Sequence, residues 1–166
     1  MIFITVGTHE QSFDRLIKEI DKIALDNEIK EKFYIQTGFS DYVPKNCQWS
    51  KFLSFTQMNE LMKKADIIVT HGGPASFVAP LELGKIPIVV PRQKKFNEHI
   101  NDHQLDFVRL IDKKNGNIIP VYNIKDLKKT IINYKKLANE KDSNLNSNNK
   151  KFNEKLSKIV NSLMNE

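Results

Sequence analysis

The 166-residue chain has one cysteine, Cys47, so no intramolecular disulfide is available, and a reducing compartment, by default the cytoplasm, is expected. No stretch approaches the roughly 20 apolar residues that cross a bilayer, so membrane contact is expected to be peripheral or through a partner. The opening run Ile2-Phe3-Ile4-Thr5-Val6 has no basic segment before it and reads as a strand, not as a signal peptide. Also missing are a Walker phosphate loop, a three-glycine dinucleotide fingerprint and a Gly-x-Ser-x-Gly elbow. Their absence disfavours an NTPase, a dehydrogenase and a serine hydrolase. There is little excess of one charge: 26 Lys and Arg stand against 20 Asp and Glu, a formal +6. That balance suits a phosphate-bearing substrate or an anionic membrane surface. A nucleic-acid reading draws only on lysines, many of them after Lys125, and no nucleic-acid partner is expected. No internal repeat is visible.

What is present is an alternation of short β-branched runs with segments of helical period, which predicts an α/β domain: a Rossmann-like parallel sheet with helices on both faces. Strands are expected at Ile2 to Val6, Phe33 to Thr37, Gln48 to Leu53, Ile67 to Thr70, Ile86 to Val90 and near Ile118. Phe13, Leu16, Ile17, Ile20 and Ile23 give a first helix its apolar face. Met58, Leu61 and Met62 mark a second. Pro74 to Leu83 reads as a third, opening on proline and ending at Gly84. His99 to Ile111 and Ile124 to Leu137 read as the fourth and fifth. One domain is therefore expected over residues 1–138, a polar Asn, Ser and Lys linker over 139–150, and a helix over 151–166. The last carries a stripe of Phe152, Leu156, Ile159 and Leu163 that must dock on this domain or on a partner.

Three segments can carry chemistry. Gly7-Thr8-His9-Glu10 follows the first strand, at the carboxyl end where parallel sheets bind ligands, and Gly7 lets backbone N–H groups approach a phosphate. Thr70-His71-Gly72-Gly73-Pro74-Ala75-Ser76 joins a strand to a helix, with glycines removing bulk where helix N–H groups point outward, and with His71 and Ser76 as side-chain donors. An ordinary tight turn accounts for the same residues. The third, Pro91 to Gln104, is a long polar connection: Arg92 and its lysines suit phosphate, while Asp102 and Gln104 suit sugar hydroxyls. His99 and His103 are four apart, but their segment lacks the Glu that follows the first His in zinc proteases, so no metal site is expected.

Taken together, Val6-Gly7-Thr8, Phe13-Asp14-Arg15-Leu16-Ile17, Gln36-Thr37-Gly38, Ala65 to Gly73, Gly84-Lys85-Ile86-Pro87 to Pro91 and Asn101-Asp102-His103-Gln104 resemble, in this order, a known family. The chain is similar to the carboxy-terminal, donor-binding domain of family 28 glycosyltransferases. Within that family it looks most like the short split enzymes of capsule and exopolysaccharide synthesis and the catalytic subunit of the eukaryotic dolichol-linked N-acetylglucosaminyltransferase. The resemblance implies one half of a GT-B enzyme that holds a UDP-sugar, with no metal or other cofactor. It further implies a membrane-anchored partner chain for the lipid-linked sugar acceptor, and hence a peripheral location at the inner face of the plasma membrane. By position, Gly7, Thr8, His71, Gly72, Gly73 and Ser76 would contact the diphosphate. Phe55, in Ser54-Phe55-Thr56, would line the base pocket, and Asp102, His103 and Gln104 would reach the sugar hydroxyls. The Glu expected to bind the ribose is replaced by Ala79, and Glu82, one turn on, is the available substitute.

The expected reaction is inverting transfer of a hexose, galactose favoured, to a lipid-diphosphate-linked sugar. His71 and Arg92 would stabilise the leaving diphosphate, and His9 or Glu10 would serve as base. The alternative is a non-catalytic activating or scaffold subunit of such a transferase, which the Ala79 departure favours.

Overall fold

A computed structural model describes residues 1–141. Strands β1 (Ile2–Thr5), β2 (Phe33–Gln36), β3 (Gln48–Ser50), β4 (Ile67–His71), β5 (Ile88–Val90) and β6 (Ile119–Pro120) form one sheet in the order β3-β2-β1-β4-β5-β6. Every pairing is parallel. Helices α1 (Asp14–Ile23), α2 (Phe55–Lys64), α3 (Pro74–Glu82), α4 (His103–Asn115), α5 (Leu127–Ile132) and α6 (Tyr134–Asn139) provide the end of the described chain and the crossovers, except the β2 to β3 connection, which is a loop.

Side chains alternate along β1. Ile2 and Ile4 join Leu16, Ile17 and Ile20 of α1 in the larger core, while Phe3 packs with Met62 and Ala65 at the end of α2 and with Ile68 of β4. Helices thus cover both faces, and both faces of the central strands are apolar, as a buried parallel sheet requires. β1 pairs with β2 on one side (Ile2 with Phe33) and with β4 on the other (Ile2 with Ile67). The chain reverses its direction of winding there, and the crevice above the carboxyl ends of β1 and β4 is where such sheets hold ligands.

Two helix boundaries differ from expectation. The fourth helix starts at His103, not His99. Asn97 adopts a left-handed φ of 57°, and the N–H groups of Asn101 and His103 are taken by the side chains of His99 and Asn101. Local side-chain bonds of this kind compete with helix formation. His99 and His103 therefore do not share a helix face. The expected fifth helix is split at Asn133, whose side chain donates to the Lys129 carbonyl at 2.8 Å. Helix α6 runs through Asn139, so the linker begins later than residue 139. The rest of the predicted linker and the 151–166 helix lie outside the described residues.

Candidate functional site

The loop after β1 and the loop after β4 meet at His71. Its Nδ1 accepts the Gly73 N–H at 2.9 Å, so the neutral ring carries its proton on Nε2. The ring is fitted between Gly7 and Gly73: a Cβ at Gly7 would lie 2.4 Å from Nε2, and one at Gly73 2.4 Å from Cε1. Burial, reinforced by the positive charge of Arg92, pushes His71 down to about 4, with a side-chain hydrogen bond to Gln104 opposing the shift. At neutral pH His71 is thus an uncharged N–H donor.

The lowered value of His71 makes the stability of the fold depend on pH. A folded value of about 4 against 6.5 unfolded favours the neutral form, so the contribution to stability is complete above pH 6.5 and is lost as pH falls toward 4. The loss should reach about 3 kcal/mol. Urea midpoints at successive pH values are expected to show it in the wild type and to show it reduced in His71→Asn. Equal pH slopes in both proteins would reject it.

Gly7 itself is held by a residue to which the sequence reading gave no role. Gln36, a buried polar side chain in an otherwise apolar strand, accepts the Gly7 N–H at 3.2 Å and donates to the Gly7 carbonyl at 3.1 Å. Its side-chain N–H also reaches the Lys51 carbonyl at 3.1 Å, so one amide locks the β1 loop to the end of β3.

A cleft of about 560 Å³ opens above these loops, lined by Thr8, His9, Phe55, His71, Ser76 and Ala79 among others. Phe55, 82% exposed at the first turn of α2, presents a ring face suited to a nucleobase. Its position is set by a capping box between Ser54 and Gln57. Met58 and Asn59 of α2 also line the cleft; the sequence marked Met58 only as an apolar helix position and Asn59 not at all. The first turn of α3, from Pro74 to Ser76, brings the positive end of its dipole to the same wall.

Several expected residues sit elsewhere or act differently. Arg92 is only 1% exposed and cannot clamp a ligand directly, because its guanidinium donates to the carbonyls of Val6, Gln11, Ser12 and Glu98. The Ser76 hydroxyl donates to the His71 or Gly73 carbonyl at 2.8 and 2.6 Å, tying the loop together and leaving it no proton for a phosphate. Of Asp102, His103 and Gln104, only Gln104 lines the cleft. Its Oε1 accepts the Gly72 and Arg92 N–H groups at 3.1 and 3.2 Å. Asp102 accepts the Lys94 N–H at 2.9 Å, and His103 faces a neighbouring cavity of about 460 Å³ with Asp106, Phe107 and Leu110.

Glu82 is exposed at the end of α3, about 4.5 Å further along the helix axis than Ala79, and does not line the cleft. Glu10 is exposed and outside it as well. His9 lines the cleft and packs on His99, ring centroids 4.7 Å apart. Its Nδ1 accepts the Gln11 N–H at 3.1 Å, which leaves the proton on Nε2 and makes His9 a donor in this arrangement, not a base. Burial, then Arg92, lowers its affinity for a second proton. Among the described residues no group of three or more His, Cys, Asp or Glu could hold a metal ion. Cys47 is pushed up to about 12 by burial and by Asp21, and is no nucleophile at neutral pH.

The model of the glycosyltransferase family 28 C-terminal domain matches residues 1–163 of this sequence. The chain belongs to that family. Among curated relatives, the UDP-N-acetylglucosamine transferase subunit ALG13 of Homo sapiens is 30% identical over 122 residues, and that of Mus musculus 27% over 121. Each alignment covers 68% of this chain and 10% of the relative, so the family 28 domain corresponds to a small part of those proteins. Among solved structures, the glycosyltransferase SnogD from Streptomyces nogalater matches with a TM-score of 0.56 at 16% identity. The glycotransferase of kitacinnamycin matches at 0.55 and 14%. Both cover 83% of this chain and 36% of the other, and they show the fold: a Rossmann-like half of a GT-B glycosyltransferase.

Proposed function

We propose that this family 28 domain binds a UDP-sugar and forms the donor half of a glycosyltransferase completed by a second chain. The observation that carries the reading is His71, fixed between two glycine loops with its Nε2 proton at the wall of a cleft that a helix N-terminus and an exposed aromatic ring also line. These are an anion-binding wall and a base-stacking surface. The diphosphate would lie against His71 and the first turn of α3, with the uracil toward Phe55 and the sugar toward the Gln104 amide.

The remaining machinery belongs to the partner in this reading. The chain matches only 36% of the length of the solved glycosyltransferases, and the curated relatives are named as transferase subunits. With His9 held as a donor and Glu10 outside the cleft, the base that deprotonates the acceptor comes from the acceptor-binding chain. No helix among the described residues is long and apolar enough to cross a membrane, so a lipid-linked acceptor at the inner face of the plasma membrane is reached through a membrane-anchored partner. The setting read from the sequence is capsule or exopolysaccharide synthesis, with a hexose, galactose first, as the transferred sugar.

Calorimetric titration with UDP, UDP-galactose, UDP-N-acetylglucosamine and UDP-glucose tests the donor site. Saturable binding is expected, weakened about tenfold or more in His71→Ala, the loss of one charge-assisted hydrogen bond. The ranking of the sugars identifies the donor. Absence of UDP binding both to this chain and to its complex with the partner would reject the reading. Binding that appears only in the complex would instead favour the second reading, a supporting subunit, for which Ala79 in place of a ribose-binding Glu is the specific observation.

A further inference from the structure

The largest fully buried side chain is a cation without an ionic partner. Arg92 forms no ion pair among the described residues, and its Nε has no hydrogen-bond partner among them. The nearby carboxylate of Glu98 is already committed: Arg15 grips it through Nε at 2.7 Å and Nη2 at 2.9 Å, and the Gln93 N–H donates to it at 3.0 Å. Arg15 and Glu98 therefore cancel, and the buried cluster retains one positive charge. Arg92 is pushed down to about 10 by burial, with Glu98 opposing the shift, so it stays charged at neutral pH. An isolated buried charge is costly, and what offsets it here are the carbonyl dipoles around the guanidinium and the face of the Phe13 ring, 4.7 Å from it.

Those carbonyls define its direction of influence. Nη2 takes Val6 at 3.0 Å, and Nη1 takes Gln11 at 2.7 Å and Ser12 at 3.2 Å, so Arg92 sits beneath the loop that begins at Gly7 and pins both ends of it. Nη1 also takes Glu98 at 3.1 Å, the residue before His99, whose ring packs on His9. The field reaches the cleft itself: Arg92 is the strongest charged influence on both His71 and His9, and at His9 it outweighs the exposed Glu10. With both histidines neutral, nothing in the cleft wall balances this charge.

We propose that Arg92 is a buried counter-charge for the diphosphate of the ligand, acting through the β1 loop without touching the ligand. The inference rests on the donor-site reading but commits to more: the missing partner of a built-in cation is the anion that the cleft receives. Beneath the loop and out of water, such a charge is weakly screened and already in place when the anion arrives. Arg92 is in this sense a positioning residue with an electrostatic output.

The test compares inorganic pyrophosphate, UDP and uridine on the wild-type chain, Arg92→Lys and Arg92→Met. Arg92→Met is expected to weaken pyrophosphate and UDP about tenfold or more and uridine less than about threefold, with Arg92→Lys closer to wild type for the two anions. Parallel loss of uridine and UDP, or equal effects of Lys and Met, would reduce Arg92 to a loop clamp and overturn the proposal. Should Arg92→Met fail to fold, the wild type decides by salt. Pyrophosphate affinity should change less than about threefold between about 0.05 and about 0.5 M KCl, and a loss above about tenfold would assign the attraction to surface cations instead. Pyrophosphate binding without UDP binding would sink the donor reading and keep the counter-charge. UDP binding indifferent to Arg92 would do the reverse.

Discussion

Gly7→Ala is expected to remove donor binding by about 100-fold or more and to destabilise the fold by about 3 kcal/mol. The cost has two sources. Gly7 has φ +77°, a backbone conformation that strains a residue with a Cβ, and the new methyl would meet His71 at 2.4 Å from Nε2 and 2.9 Å from Cδ2. The imidazole has no retreat, since Gly73 holds Nδ1 and lies against Cε1 on the other side. Either the loop or the ring must leave its place, and the donor wall is made of both. Gly84→Ala is the matched control: φ is +71° there, but no atom lies within 4 Å of the added methyl. It should cost only about 1 kcal/mol and leave UDP binding intact. Equal effects at the two glycines, read by urea midpoints and titration, would reject the His71 clash as the cause.

Asp21→Ala should have the largest effect on stability alone, about 4 kcal/mol. The carboxylate is 2% exposed and accepts the Lys45 N–H at 3.0 Å, the Asn46 N–H at 2.8 Å and the Tyr42 hydroxyl at 2.8 Å, fixing the loop between β2 and β3 onto α1. Burial by itself would raise its pKa, but the backbone donors of Lys45 and Asn46 and the Tyr42 hydroxyl bring it below the usual carboxylate value. The anion is thus favoured in the fold, and stability falls as acid protonates it through that lowered value. Asp21→Asn, which keeps one acceptor, is expected to lose about half as much as Ala. An Ala variant within about 1 kcal/mol of wild type would show that the loop holds without its anchor.

Much of this architecture was legible because periodicity reports burial. Ile2 and Ile4 against Phe3, and the Leu16, Ile17, Ile20 stripe, announce a two-faced sheet, and Gly7 and His71-Gly72-Gly73 fall at the strand ends where the crevice opens. Direction was not legible. Arg92 follows a strand in a polar connection, the pattern of a ligand clamp, yet its guanidinium turns inward to four carbonyls. Asp102, His103 and Gln104 are consecutive, and at a helix start consecutive side chains diverge by about 100°, so only one of them meets the cleft. Ser76 and His9 show a subtler gap: residue type offers a donor or a base, but neighbouring backbone groups decide which atom keeps the proton. Gln36 was visible as a polar residue in an apolar strand, and its partners were not.

The position of β1 also governs how the chain is born. It lies between β2 and β4, and the latter pairing joins Ile2 to Ile67. A ribosome adding about 5–20 residues per second needs roughly 3–13 s to supply that second neighbour after the first strand has emerged. During this interval one side of this central strand has no hydrogen-bonding neighbour, and an apolar segment with an open edge invites pairing with other chains. The nascent protein therefore passes through a stage in which a strand that ends fully buried has an open edge, the state in which an unfinished sheet is most exposed to pairing with other chains.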